Sequence, residues 1–552
     1  MIRNSQFRSR SKWAATAALL IMLSLVARAA ASTYVVFIPL DDPIYDELDT
    51  LDGLGLLDSY LPEVKPISRV EAARLVIEAN SNIAQIKSPD PLALATLDAL
   101  HSELALEIGW LEDDHEDNLP PMVRPVQRLA LQYVYSSGEQ REFYVENAHP
   151  VTASEATPLL PDDSDLPSAS GNNGVALWSG WAGFGGFLSG YAEAAYGGPL
   201  TDSAQAPDRD RIVNGAAVVS LGNLAISYGN EAMQWGVGYY GQLAQSANAS
   251  AFPALRFQNI HPGHLPGFLR YLGLMRYNAF LGQLDDDRVF AHPWIAGQIV
   301  ALKPLPNLDL GVTHAIAFGG SGNDDYGIGG FFGRATGIDT GNPDGANTNS
   351  RVSVYSKLRF PSLRSAELYA EILGEDFYQP FGKKLGLKLP FKSPSYTLGL
   401  YVPRLTCDGL TDGRLEWTLL DRNYSTHSDS LYWTNGGVLM GYPLGPGGQR
   451  LDWGLGRWVA MRYKLKSDLY YEFREPLAAA DASLTERGAG FRLGLARMPF
   501  KINRLQGAIA DFELAAAAEY VSHINYLNTD STRMMLMLSI GLAPPSGVFA
   551  WR

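Results

Sequence analysis

Thiol chemistry is nearly missing from this chain: Cys407 is its one cysteine in 552 residues, so no intramolecular disulfide can form. A lone thiol of this kind reads as a passive strand or loop residue rather than a nucleophile. Charge is scarce as well, at 18% Asp, Glu, Lys and Arg against about 25% in ordinary soluble domains. Basic residues are the scarcer kind, 44 against 58 acidic, for a net charge of −14. That balance argues against nucleic acid or an anionic surface as an electrostatic partner. Beyond the N-terminus no run approaches 18 uninterrupted apolar residues, so no transmembrane helix is expected there. The catalytic patterns G-x-S-x-G and H-E-x-x-H do not occur. What the chain does have is glycine (55 residues), 11% aromatics and 46% hydrophobic residues, too apolar for disorder.

The first 31 residues read as an export signal. Arg3, Arg8, Arg10 and Lys12 form a positive start, Ala14 to Ala27 an apolar run, and Ala29-Ala30-Ala31 a cleavage site. A membrane anchor fits less well, because spanning takes roughly 20 residues. The mature chain is expected to begin at Ser32; setting aside five Lys/Arg and no acid takes the net charge from −14 to −19.

Residues 32–118 carry helical signals. Ser68-Arg69-Val70-Glu71 is a capping box, with Glu71 expected to reach back to the Ser68 amide. Stripes at helical spacing run through Ile44, Leu48 and Leu51, through Val70, Ala73, Val76 and Ile77, and through Leu97, Leu100, Leu104 and Ile108. Three short helices in a small bundle are predicted. Tyr45 to Leu48, Leu51 to Leu54, Pro66 to Arg69 and Glu71 to Leu75 resemble an S-layer-homology unit, which implies peptidoglycan as a partner; an ordinary helical cap without a ligand is the alternative.

From about residue 122 the period becomes 2. Leu129 to Tyr135, Val352 to Leu358, Tyr396 to Tyr401 and Met534 to Leu538 alternate an apolar face with one of Gly, Ser or charge. Such segments, with aromatics near their ends, short turns (222–223, 304–307, 361–364) and long polar loops (196–210, 319–350, 422–449), are the signature of a transmembrane barrel. The fold class read here is mainly β: a large antiparallel outer-membrane β-barrel of about 16–18 strands over 119–552, with a small periplasmic helical bundle. The alternation slips around 230–290 and 400–450. A soluble sandwich or propeller fits less well, since its closely spaced turn clusters are scarce.

Few residues suggest chemistry. His261-Pro-Gly-His264 lacks the helix and third ligand of a metal site, and Asp285-Asp286-Asp287 lacks a calcium loop's spacing. Phe381-Gly-Lys-Lys-Leu385 is not a phosphate loop. Neither metal, cofactor nor catalytic group is expected. Two segments dense in aromatics and amides are more informative: Gln234, Trp235, Tyr239, Tyr240 and Asn248 in the first, Tyr432, Trp433, Asn435 and Tyr442 in the second. Sugar rings stack on Trp and Tyr, and sugar hydroxyls pair with amides, so these nine are the candidate polysaccharide-binding residues. Packing of loops into a lumen is the competing role for each.

Four stretches in fixed order carry a family resemblance: Val35 to Leu48 (with Pro39 to Tyr45), Pro66 to Arg69, Trp235 to Gly241 and Asn435 to Gly445. In these the chain resembles the capsule assembly Wzi family. The resemblance implies an 18-stranded outer-membrane barrel with periplasmic helices and loops folded into the lumen. It also implies a non-enzymatic lectin that helps attach capsular polysaccharide or exopolysaccharide at the surface of a Gram-negative cell. Tyr442 stands where the family's pair is Gly-His, and Phe549 to Arg552 does not end on an aromatic. A porin with a periplasmic anchoring region is the alternative, and a barrel enzyme a third. Outer-membrane lipid and lipopolysaccharide are the expected surroundings, and a monomer the expected state, because a closed barrel leaves no strand edge.

Overall fold

The computed structural model describes residues 33–112, 119–143, 153–154, 170–200, 211–286, 288–323, 348–377, 391–392, 394–425, 431–476, 484–544 and 547–550. The expected signal sequence and Phe381 to Leu385 lie outside the described residues. Strands β1 (Met122–Ser137), β2 (Gly171–Phe184), β3 (Leu188–Pro199), β4 (Arg211–Leu221), β5 (Leu224–Asn230) and β6 (Pro253–Asn259) begin the barrel. It continues through β7 (Leu274–Gln283), β8 (Trp294–Leu305), β9 (Leu308–Phe318), β10 (Thr348–Phe360), β11 (Ala366–Gly374) and β12 (Ser395–Val402). The last six are β13 (Thr411–Leu419), β14 (Gly448–Val459), β15 (Tyr463–Arg474), β16 (Glu486–Ile502), β17 (Ala508–Ser522) and β18 (Ser531–Ala543). Each pairs antiparallel with its neighbour in sequence, and β18 closes on β1 through Leu129–Leu542 to Ser137–Met534.

Side-chain alternation makes the two faces. On β18, Met534, Leu536, Leu538 and Ile540 point outward, while Met535 and Met537 pack inward with Val134, Ala515 and Ala517. On β10 the inward set is Arg351, Ser353, Tyr355, Lys357 and Arg359, all buried. An apolar outer wall over a polar interior is what lipid on one side and a filled lumen on the other require. Tyr135, Tyr196, Tyr228, Trp294, Tyr471 and Tyr520 are exposed at the long-loop rim. Phe184, Phe187, Leu221, Leu305, Leu363 and Phe549 ring the opposite, short-turn rim. These two belts sit where aromatic and apolar girdles meet a membrane's interfaces.

Helices α1 (Ile44–Gly53), α2 (Arg69–Ile83), α3 (Pro91–Glu103) and α4 (Ala105–Glu112) form a cap at the short-turn end. Their stripes meet in one core of Ile44, Leu48, Leu51, Val76, Leu97, Leu100 and Ile108. Two details differ from expectation. The stripe from Leu97 to Ile108 breaks at Leu104, because Arg69 Nη2 takes the Glu103 carbonyl at 2.8 Å and Nε takes Glu107 at 2.6 Å. Ser68 Oγ does accept the Glu71 amide (3.1 Å), but the Glu71 carboxylate turns instead to Arg74 (2.7 and 2.8 Å) and His261 (2.6 Å). The slips in alternation have a cause too: residues 231–252, and 420–425 with 431–447, belong to connections at the long-loop end that fold inward.

Candidate functional site

The lumen is filled from both ends, and the two fillings join. The segment before α2 runs inside the wall, where Val35 bonds Ser189 and Ser220 Oγ bonds the Thr33 carbonyl (2.8 Å). It then pairs Val64 with Trp235 and Lys65 with Gln234, a short ladder between the cap and the inward-folded connection after β5. That connection is stitched to the one after β13: Ser246 N donates to the Met440 carbonyl (2.9 Å), Ser246 Oγ to the Gly441 carbonyl (2.7 Å), and Asn248 Nδ2 to the Leu439 carbonyl (3.0 Å).

Six of the nine candidate residues are interior parts of this plug. Trp235 is fully buried against Phe280, with ring centroids 5.3 Å apart. Trp433 is fully buried under the Arg351 guanidinium (4.0 Å), and Arg288 lies 5.2 Å from the buried Tyr432 ring. Asn435 donates to the Ser250 carbonyl (3.0 Å) and accepts the Asp285 amide (3.2 Å). Tyr442 is buried, its amide on the Tyr424 hydroxyl (2.6 Å), and Asn248 is held as described above. Asp285 is therefore a plug residue rather than a bare loop tip: its carboxylate accepts the Gly436 amide at 2.8 Å. Among the described residues no group of His, Cys, Asp and Glu has the arrangement of a metal site.

Gln234, Tyr239 and Tyr240 instead face a cavity of about 400 Å³ in the half of the lumen nearest the short turns. Its cap side is acidic, with Asp42, Asp46, Glu47, Asp49, Asp52 and Glu63; its wall brings Arg128, Lys357, Arg414, Lys464 and Lys466. Ion pairs cross it, Lys466 to Asp46 at 2.6 Å and Lys357 to Glu63. Burial alone would raise the Asp46 carboxyl, but Lys466 and Lys464 overcome it and hold it well below the usual range. Glu47 goes the other way: burial, then the neighbouring carboxyls of Glu103 and Asp42, push it well above the usual carboxylate range.

One wall of the cavity is aromatic. The Arg414 guanidinium lies between the rings of Tyr239 (3.9 Å) and Tyr401 (4.1 Å), with Tyr369 at 5.9 Å. Glu416 accepts the Tyr239 amide (2.7 Å) and the Tyr369 hydroxyl (2.8 Å), and Tyr240 donates to Asp468 (2.7 Å). Tyr369 lies flat over Gly399, where any Cβ would stand 2.0 Å from the ring. Tyr239 keeps 39% of its surface open to the cavity. Burial raises the hydroxyls of Tyr239 and Tyr240 above the usual tyrosine value, so both remain neutral donors. Arg414, Tyr369, Tyr401 and Lys466 were not singled out in the sequence. Their only signal is a place on the polar face of an alternating strand, which they share with dozens of other residues.

Comparison with known proteins follows the architecture. No curated protein sequence matches the chain. The solved structure of Wzi, an outer-membrane protein involved in group 1 capsule assembly in Escherichia coli and a carbohydrate-binding β-barrel, superposes with a TM-score of 0.64. It shares 15% identity, over 93% of this chain and 100% of that one. OprD of Pseudomonas aeruginosa is more distant, with a TM-score of 0.41 and 9% identity over 77% of this chain and 94% of that one. The family model for capsule assembly protein Wzi matches residues 144–509. This chain, an 18-stranded barrel plugged from both ends and matched by that model over about two thirds of its 552 residues, belongs to the capsule assembly protein Wzi family.

Proposed function

We propose that this protein is a non-enzymatic outer-membrane barrel that binds capsular polysaccharide or exopolysaccharide and helps attach or assemble it at the cell surface. The observation that carries the reading is the plug: among the described residues, cap and inward connections meet in the Val64–Trp235 ladder, beside an aromatic and charged cavity. Family membership and the carbohydrate-binding relative from Escherichia coli support it. In this reading the short-turn end and the helices of 32–118 face the periplasm, residues 119–552 form the barrel, and peptidoglycan is within reach of the cap. Gln234, Tyr239 and Tyr240 touch the sugar, with Tyr239 and Tyr401 offering ring faces and Arg414 suiting an acidic group. Trp235, Asn248, Tyr432, Trp433, Asn435 and Tyr442 hold those residues in place.

Planar-bilayer conductance of the refolded protein, with and without candidate polysaccharide, tests this. A nearly silent barrel that binds the polymer is expected, and Tyr239→Ala should weaken binding at least tenfold while the barrel stays folded. Steady open-channel current in the wild type would replace the lectin by a porin. Unchanged binding by Tyr239→Ala would move the sugar contact away from the cavity.

A further inference from the structure

The β6–β7 connection, residues 260–273, leaves the short-turn rim and folds back over the outer wall. Its start grips the plug side: His261 Nδ1 meets Glu71 of α2 at 2.6 Å, and Asn223 bonds both the amide (2.8 Å) and the carbonyl (2.9 Å) of His261. Gly263 and His264 then pair with Met275 and Leu274, carrying the chain across the rim. Leu265 and Leu269 settle on the outer face, against Leu224, Ile226, Met275, Tyr277, Val300 and Leu302. These wall residues alternate with lumenal ones such as Arg276, whose guanidinium points to the Pro66 carbonyl, so the covered surface is the membrane-facing one. The return is possible only because residue 273 is glycine: its φ is 80°, and a Cβ would stand 1.9 Å from the Lys303 carbonyl oxygen.

Between those anchors the 3₁₀ stretch Gly267–Leu272 keeps Leu269 on the wall and leaves Phe268, Tyr271 and Leu272 exposed. Phe268 is 79% exposed and Tyr271 74%, the two most exposed large apolar side chains among the described residues, and Leu272 stands beside them. Arg270 folds over the Tyr271 ring at 5.1 Å. Two bare aromatics on a lobe this well pinned would be costly in water. They lie beside the apolar wall and in the same rim as Phe184, Phe187, Leu221 and Leu305.

We propose that residues 265–272 are a membrane foot that rests in the lipid leaflet at the short-turn rim. Phe268, Tyr271 and Leu272 sit among the glycerol and upper acyl groups, and Arg270 reaches the phosphate headgroups. Lipid is the occupant because the foot continues the lipid-facing wall without a break, and because aromatic rings beside a cationic side chain suit that interfacial layer. The foot is independent of sugar binding.

The lone cysteine makes the test clean. In a Cys407→Ser background, single cysteines are placed as Phe268→Cys and Tyr271→Cys, with Leu538→Cys as the lipid-wall reference and Ser81→Cys on α2 as the aqueous one. Each is nitroxide-labelled and reconstituted in phosphatidylethanolamine–phosphatidylglycerol vesicles, and heat-modifiable gel mobility selects folded barrel. Collisions with oxygen and with a water-soluble nickel chelate are then compared. The expected result is an oxygen-to-nickel ratio at 268 and 271 at least fivefold above that at 81, and below that at 538. A ratio equal to that at 81 overturns the foot. So does low access to both reagents, which would mean that protein covers the lobe.

Discussion

Trp235 is the pin between the two halves of the plug, and its truncation is the most direct test of that arrangement. Its amide donates to the Gln245 carbonyl (2.9 Å), its residue pairs with Val64 of the cap segment, and its ring is fully buried against Phe280 and over Gly297. Trp235→Ala empties a site with little freedom to collapse, because the wall of β7 and β8 behind it is a closed hydrogen-bonded sheet. Removal of a buried large aromatic costs about 3–5 kcal/mol. The barrel's own ladder is untouched, so this cost falls on plug closure. At 1.4 kcal/mol per tenfold, local opening should rise roughly 10²- to 10³·⁵-fold. Trp235→Phe is the control. The indole nitrogen is buried without an acceptor among the described residues, so phenylalanine removes an unsatisfied donor along with some area and should cost within about 1 kcal/mol. Hydrogen exchange read on peptides covering 61–68 and 231–246 gives the answer. Exchange faster by two orders of magnitude in both peptides is expected for alanine, with near wild-type rates for phenylalanine and no change across β16–β18. Exchange within threefold of wild type for alanine would refute the pin.

Two further perturbations act on the cap. Burial, then the negative charge of Asp42, pushes the Glu103 carboxyl up to about 8 from its ordinary 4.5, while burial at Glu71 is outweighed by Arg74 and His261, which pull it to about 2. A docked Glu103 keeps a proton that the free chain releases, so its effect weakens docking as pH rises from about 4.5 to 8. Glu71 contributes stability that is lost as pH falls from about 4.5 toward 2. Limited proteolysis of the cap should therefore be slower at pH 5 than at pH 8, and Glu103→Gln should protect at pH 8 without changing pH 5; faster cleavage of that variant at pH 8 would contradict the account. Arg359 joins Asp52 of α1 to Glu367 of β11, and Arg359→Leu leaves two buried carboxylates without their cation, at a cost of about 3–5 kcal/mol. Cap cleavage should accelerate while heat-modifiable mobility of the barrel persists, and adding Asp52→Asn should recover part of the loss; an unaltered cap would show that this pair does not hold it.

Local patterns were legible where one physical rule sets the outcome. Met534 to Leu538 reads as a strand because lipid tolerates only apolar side chains on one face, and Ser68 reads as a helix cap because a free amide needs its oxygen. The turn at 222–223 was legible for a similar reason. Tyr239 and Trp433 looked alike in sequence, aromatics among glycines and amides, yet Tyr239 lines the cavity while Trp433 is sealed under Arg351. Nothing in the sequence neighbours of either distinguishes them, because the partner is about 80 residues away for Trp433 and about 175 for Tyr239. His261 reads as a plain loop residue and is the clasp on Glu71, again through a partner 190 residues distant.

The alternation of side chains, the scarcity of charge on one strand face and the early helical stripes are properties of consecutive residues. They were enough to establish a membrane barrel with a helical cap, since the bilayer imposes the same requirement on every strand. Filling of the lumen, the meeting of Val64 with Trp235, the cavity around Arg414 and the exposed lobe at Phe268 depend on residues far apart in the chain. Those were decided by packing in three dimensions, where burial and pairing answer to geometry and not to order in sequence.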